Sequence, residues 1–188
     1  MAIEAPSSTT RAGRSDVQAG DRRLRSVAAL ALVTGAALGM AGTFVPSAAV
    51  RGVAWGIDGT ALVVAAGLLT VHYIRRGNDL AAAGFLVFTV GEGLILTTAA
   101  MDLPESLPSF GAGVGLWAAS MLLVSASGAM PRWVNGVASV GALLFTVVAL
   151  QIFMGRPLTP LSEPLPFFAY PFLAATLFGW AWVQYRDV

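Results

Sequence analysis

The stretch from Tyr73 to Met101 constrains the fold most, because it is too long and too apolar for the surface of a water-soluble domain. It opens on the polar segment 75–79 and then continues with a single charged side chain, that of Glu92. About 20 apolar residues are enough for a helix to cross the hydrocarbon core of a bilayer. Arginines beside such a run are typical of the point where a helix leaves the aqueous face. We therefore predict a membrane-spanning helix here.

Glu92 indicates that this helix does more than anchor the chain. An ionisable side chain in the middle of a membrane helix costs roughly 3 kcal/mol or more, and such side chains usually face a bundle interior or a wet path. We predict that the other helices surround this one and that Glu92 points inward.

The composition of the whole chain agrees with a membrane protein. Hydrophobic residues make up 56% and charged residues 11% of the chain, whereas soluble domains carry about 25% charged residues. The absence of cysteine excludes disulfides, thiol chemistry and iron–sulfur clusters. All basic residues except His72 are arginine, so a retinal Schiff base is excluded, and a lone histidine argues against haem or a histidine-rich metal site. We predict no cofactor and no metal.

Six apolar segments of spanning length predict an all-α membrane protein, a six-transmembrane-helix bundle. The predicted spans are approximately 26–46, 52–74, 79–101, 108–130, 132–154 and 164–185. Proline, glycine and charged residues separate them. The polar, arginine-rich residues 1–25 predict a disordered cytoplasmic tail. No loop is long enough to form another domain, so we predict that residues 26–188 are one transmembrane domain.

The distribution of arginine predicts the orientation of the bundle. Nine of the eleven arginines fall on the side of the N-terminus, and only Arg51 and Arg156 fall on the other. Cytoplasmic loops carry the excess of positive charge. Both termini are therefore predicted to be cytoplasmic, in a multi-pass protein of a bacterial inner (cytoplasmic) membrane.

Small residues spaced four apart predict close helix packing, within one chain or between the protomers of a homo-oligomer. Such pairs occur in spans 1, 2 and 4, as Gly35/Gly39, Gly52/Gly56 and Gly111/Gly115. Aromatic residues near span ends predict interfacial anchors. They are Trp55, Trp133, Trp180, Trp182 and Tyr185.

Asp58 and Glu92 are the candidate proton-coupling residues. From the predicted span boundaries, Asp58 lies roughly 8 Å and Glu92 roughly 12 Å below the outer face. Two carboxyl groups at similar depth on consecutive helices are able to share one proton. Alternatively, Asp58 is hydrated or bonds to a backbone group as a structural device.

Further residues in the spans are candidates for lining a path. Phe85 and Phe88 recur at helical spacing with Glu92, either as packing or as a cavity wall. Asn135 is either a path residue or one side of an interhelical hydrogen bond, and His72 is predicted to snorkel to the cytoplasmic surface. No nucleophile–base arrangement, phosphate loop or metal-ligand spacing occurs. We therefore predict that the protein is not an enzyme and does not bind nucleic acid.

Short motifs in spans 2–6 resemble the acetate uptake transporter family, also called succinate–acetate permeases. The motifs are Arg75-Arg76-Gly77-Asn78 followed by Ala82-Ala83 and Phe85; Gly115-Leu116-Trp117; and Ala169-Tyr170 followed by Leu173, Ala174-Ala175 and Trp180. The resemblance implies a six-helix fold, passage of small mono- or dicarboxylates, and path roles for Trp117 and Tyr170.

The chain departs from the family pattern at three places. The Asn-Pro-Ala-Pro-type signature before the first helix is absent. Val87-Phe88-Thr89 replaces the Ser-Tyr-Gly run, so Phe88 stands where the family has a constriction tyrosine, and Glu92 stands where the family has an aromatic residue.

Two functions are consistent with these observations. The first is a membrane permease or channel for a small weak-acid metabolite, such as acetate or succinate, with proton coupling through a carboxyl group. The alternative is a non-transporting membrane subunit or assembly factor, in which Glu92 pairs with an arginine of a partner protein. The direction of Glu92 discriminates between them: a roomy polar cavity favours transport, and the outside of the bundle favours a partner.

Overall fold

In the part of the chain that the structure describes, six α-helices form a closed ring. The structure, a computed structural model, describes residues 8–98, 103–155 and 164–186. The helices are α1 (Ser8–Thr43), α2 (Ala48–Arg75), α3 (Asp79–Thr98), α4 (Leu103–Ala126), α5 (Arg132–Phe153) and α6 (Pro164–Arg186). Each helix packs against its neighbours in sequence, and α6 also packs against α1. The prediction of an all-α bundle is confirmed.

The helices are long and apolar enough for a multi-pass membrane protein. Five of them meet the length and hydropathy expected of a membrane span, with the qualifying part of α1 running from Gln18 to Thr43. The sixth, α6, has 23 residues and closes the ring between α5 and α1. Large apolar side chains cover the outside of the ring, among them Leu30 at 69% and Phe153 at 62% exposed. Such a surface suits lipid and not water.

The two ends of the ring differ, and we name each by one residue. At the Trp55 end, α1 connects to α2 and α3 connects to α4. At the His72 end, α2 connects to α3 and α4 connects to α5. The turns at the His72 end are tied together, because the Asn78 side chain donates to the Ser127 carbonyl oxygen at 3.3 Å. Gly77, with φ of 68°, allows the tight turn between α2 and α3.

Several predicted helix boundaries differ from those in the structure. The second helix begins at Ala48 and not at residue 52, because the Ser47 hydroxyl accepts a hydrogen bond from the Val50 N–H and caps the helix. The fourth helix covers Leu103–Ala126 in place of 108–130. It ends early because Gly128 adopts a left-handed conformation, with φ of 72°.

The first helix begins at Ser8, inside the segment that was predicted to be a disordered tail. The first helix has 36 residues, or about 54 Å at 1.5 Å per residue, so it extends well beyond one bilayer core. Its polar part is held by charge: the Arg25 guanidinium lies 3.3 Å from the Asp21 carboxylate, one turn away, and Asp21 also contacts α2. Residues 1–7 lie outside the described part of the chain.

Aromatic rings fill the centre of the ring between the two ends. Trp117 stacks on Phe88 with ring centroids 6.2 Å apart. Trp180 meets the edges of both Phe88 and Phe85, at 5.7 Å and 4.9 Å. Phe85 in turn stacks on Tyr73 at 5.4 Å. Trp180 is only 1% exposed, so its predicted role as an interfacial anchor is wrong. We call these five side chains the aromatic column.

Helices α3 and α4 cross at close range through Gly91 and Gly113, which are not among the glycine pairs predicted from the sequence. A Cβ added at Gly113 would lie 2.9 Å from the Gly91 carbonyl oxygen, whereas one at Gly115 would meet only Ala149, at 3.6 Å. The pair Gly52/Gly56 does not pack inside the ring, because a Cβ at either position meets no atom within 4 Å.

Candidate functional site

A cavity of about 210 Å³ lies inside the ring at the Trp55 end. It is bounded by Thr43, Trp55, Thr98 and Ser106 near this end, and by Trp117 and Tyr170 towards the middle of the bundle. Aliphatic side chains provide much of the remaining wall, namely Met40, Leu62, Ile95, Leu96, Leu107, Leu173 and Leu177. Its two acidic residues are Asp58 and Glu92. Of the described residues that line it, none is basic.

Asp58 extends from α2 into the cavity, where its carboxyl group lies against two glycines of α1. A Cβ added at Gly39 would lie 2.6 Å from Asp58 Oδ2, and one added at Gly35 would lie 3.2 Å from Asp58 Oδ1. The predicted Gly35/Gly39 packing motif therefore provides the space that the carboxyl group occupies. Asp58 Oδ1 is buried and has no hydrogen-bond partner among the described residues.

Glu92 enters the same cavity from α3 and is 2% exposed. Its Oε1 atom lies against Gly59 of α2, where an added Cβ would be 2.9 Å away. Its Oε2 atom is buried and, within the described chain, has no hydrogen-bond partner. The Trp117 indole N–H approaches the Glu92 carboxyl group without meeting the geometry of a hydrogen bond. The prediction that Glu92 faces the interior is therefore confirmed.

Asp58, Glu92 and Tyr170 line the same cavity from three helices, α2, α3 and α6. Asp58 of α2 carries one of the two carboxyl groups. The next residue, Gly59, has no side chain and therefore leaves space for the carboxyl group of Glu92. Two carboxyl groups that line one cavity are able to share a proton.

The aromatic column forms the floor of the cavity. Trp117, which lines the cavity, is held from three sides by Phe88, Phe145 and Tyr170, with ring centroids 5.5–6.3 Å apart. Phe88 lies directly beneath it and is fully buried. The cavity therefore reaches the Trp55 end, while packed rings separate it from the His72 end.

A second polar cluster, which the sequence analysis missed, closes the His72 end. The His72 Nδ1 atom lies 2.7 Å from the Asp21 carboxylate, which also faces Arg25 at 3.3 Å and Arg76 at 3.7 Å. His72 is only 3% exposed, so the prediction that it snorkels to the surface is wrong. Asp21 and His72 are 51 residues apart, and no local pattern relates two such positions. The Tyr73 hydroxyl beside His72 accepts a hydrogen bond from Gln184 at 3.0 Å.

The structure brings together four of the seven candidate path residues. Asp58, Glu92, Trp117 and Tyr170 all line the cavity. Phe88 and Phe85 lie in the column beneath it. Asn135 does not take part: it lies in the first turn of α5 at the His72 end, where its side chain donates to the Met130 carbonyl oxygen. Trp55 and Phe110 line the cavity without having been candidates, and Trp55 had been assigned to the membrane interface.

Comparison with known proteins adds no relative: no family model matches the chain, and no curated protein or solved structure matches it either. The resemblance to the acetate uptake transporters thus depends on the short motifs alone and stays a prediction.

Proposed function

We propose that this protein is a proton-coupled permease for a small solute, with its path through the centre of the helix ring. In this proposal all six helices span a bacterial inner membrane. Both termini are cytoplasmic, and the Trp55 end faces outward. The outward face of α2, which carries Gly52 and Gly56, is open to packing against a second copy in a homo-oligomer.

The position of Glu92 is the observation that carries the proposal. A carboxyl group that is 2% exposed and has no hydrogen-bond donor at Oε2 among the described residues is costly in a membrane interior. It lines a cavity inside the ring and not the outer surface. A subunit or assembly factor that pairs Glu92 with a partner's arginine would need this side chain on the outside. The geometry therefore favours transport over the alternative.

The structure supports a mechanism in which the two ends open alternately. The cavity lies at the Trp55 end, while the aromatic column and the Asp21–His72 cluster close the His72 end. Passage of a solute requires Trp117 and Phe88 to separate and the ion cluster to part. Carboxyl groups that exchange a proton during this step would couple the movement of the solute to the proton gradient.

An acetate- or succinate-like solute is the expectation from the family resemblance. The cavity gives an anion no basic partner among its described lining residues, so a carboxylate would have to enter as the neutral acid or meet protonated Asp58 and Glu92. The class of the solute is therefore a separate question from the transport mechanism.

The proposal is tested with purified protein in liposomes that contain a pH-sensitive dye. Addition of acetate, succinate or choline at the outer face should produce a proton flux with at least one solute. Glu92→Gln should fold and assemble as the wild type does but lose this coupled flux, because glutamine retains the shape without the proton. Asp79→Asn is the matched control, since it removes an exposed acidic group at the opposite end of α3. A Glu92→Gln protein with the wild-type, pH-dependent flux would refute the proposal.

A further inference from the structure

We propose that the cavity binds a small organic cation, an ammonium compound with a compact apolar body. This inference rests on the proposed function, because it names the solute class of the same site. It departs from the weak-acid expectation, and the sign of the charge around the cavity is the reason.

The described lining of the cavity is acidic, with two carboxyl groups and no basic side chain. Asp58 Oδ1 and Glu92 Oε2 are both buried acceptors without a donor in the described chain. The nearest arginine on the same helix, Arg51, is occupied elsewhere, because its guanidinium lies over the Trp55 ring at 5.6 Å and donates to the Val45 carbonyl oxygen at 3.1 Å. The buried Arg25 is bound to Asp21 at the His72 end. A cation entering the cavity therefore supplies a counter-charge that the described residues do not place there.

Aromatic rings provide a second attraction for a cation. Phe110, Trp117 and Tyr170 line the cavity from α4 and α6, together with Trp55 of α2, one face of which the Arg51 guanidinium already covers. Indole and phenyl faces attract ammonium groups, with tryptophan the strongest, and aromatic boxes are how proteins recognise quaternary ammonium ligands. The rings of Trp117 and Tyr170 are held in place by contacts with Phe145. The box is therefore formed before the ligand arrives.

The size and lining of the cavity exclude a bare metal ion and favour an organic cation. No group of three metal-ligating side chains occurs in the described residues, and hard cations require six or more oxygen ligands. The aliphatic wall instead suits an apolar body. A cavity of about 150 Å³ holds benzene, so the observed volume of about 210 Å³ accommodates a cation of about seven to ten non-hydrogen atoms.

Cation and proton would use the same acceptors, Asp58 and Glu92. Two other charged or titratable groups lie nearby: Tyr170 on α6, which lines the cavity, and Arg51, whose guanidinium lies over the Trp55 ring. The described lining residues from α1 and α4 carry no charged or titratable group. Entry of a cation therefore displaces a proton, so that the two move in opposite directions.

The test compares solutes of the same shape and different charge. Choline, its neutral isostere 3,3-dimethylbutan-1-ol, and acetate are titrated into the purified protein, and binding is followed by calorimetry and by intrinsic tryptophan fluorescence, to which the cavity residues Trp55 and Trp117 contribute. We expect choline to bind at least tenfold more tightly than the neutral alcohol, which corresponds to about 1.4 kcal/mol. Glu92→Gln and Asp58→Asn should each weaken choline binding tenfold or more, and Asp79→Asn should leave it unchanged.

The outcomes separate this inference from the proposed function. Binding of acetate that exceeds that of choline, equal binding of choline and the alcohol, or no choline binding at all would each overturn the cation site. Proton-coupled acetate flux in liposomes would then still support a permease. Conversely, carboxyl-dependent choline binding without flux of any solute would uphold the cation site and overturn the transport proposal. The comparison of choline with the alcohol uses the wild-type protein, so it holds even if a variant fails to fold.

Discussion

The crossing of α3 over α4 gives a sharp test of how this bundle is held together. Gly113→Ala adds one methyl group at the tightest point of that crossing. The new Cβ would lie 2.7 Å from Ile95 Cδ1 and 2.9 Å from the Gly91 carbonyl oxygen. A side-chain methyl group can rotate away, but a helix carbonyl group cannot. The two helices must therefore separate by about half an ångström to restore an ordinary contact distance.

We expect Gly113→Ala to lower the free energy of unfolding by about 1–2 kcal/mol. Overpacking of a filled interior costs about 1–3 kcal/mol, and the better helix propensity of alanine offsets up to about 1 kcal/mol of it. Gly115→Ala is the matched control, two residues away on the same helix. Its Cβ meets only the Ala149 Cβ at 3.6 Å, so this change should be neutral or stabilising by up to about 1 kcal/mol.

Equilibrium unfolding in mixed micelles of dodecylmaltoside and SDS, followed by circular dichroism, measures both variants. We therefore expect the two glycine-to-alanine substitutions to change the free energy of unfolding by different amounts or in opposite directions. If Gly113→Ala is as stable as the wild type, or if Gly115→Ala loses as much stability, then the α3–α4 crossing is not limited by the contact between Gly113 and Gly91.

Two further predictions concern the His72 end and the topology. Asp21→Ala leaves Arg25 buried without its carboxylate and removes the contact between Asp21 and His72. We expect the free energy of unfolding to fall by about 1–3 kcal/mol, which is below the range for a fully buried pair because the Asp21 side chain is 26% exposed. As a control, Arg23→Ala at an exposed position should change the free energy of unfolding little. Equal losses in the two variants would show that the ion cluster is not the cause. A reporter that is active only in the periplasm, fused after Val188, should be silent; activity would reverse the predicted orientation and move the cavity to the cytoplasmic face.

Much of the fold was predictable because hydrocarbon imposes a simple requirement on each helix. A segment must be long enough to cross the bilayer and must satisfy its own backbone hydrogen bonds. The predicted spans at 79–101 and 132–154 therefore lie close to the helices Asp79–Thr98 and Arg132–Phe153. The inward direction of Glu92 was predictable for the same reason, since an ionisable group is costly on a lipid-facing surface.

The rotation of each helix about its axis was much less predictable. In water, the apolar face of a helix is the buried face, but here the surface and the interior are both apolar. Trp180 is buried while Trp182 is 40% exposed, although both lie near the end of the same helix. The glycine motifs show the same limitation, since Gly35/Gly39 faces a neighbouring helix whereas Gly52/Gly56 faces outward.

From the amino-acid sequence alone it was possible to infer the membrane class, the approximate helix bounds and the presence of a carboxyl group that has to face inward. Each of these follows from the cost of polar groups in hydrocarbon, which acts on one residue or one segment at a time. The three-dimensional arrangement was needed to show that Asp58 and Glu92 share one cavity with Trp117 and Tyr170, and that Asp21 reaches His72 across 51 residues. These contacts depend on which helices are neighbours and how each is rotated. Side-chain packing between helices decides both, and no local pattern along the chain records it.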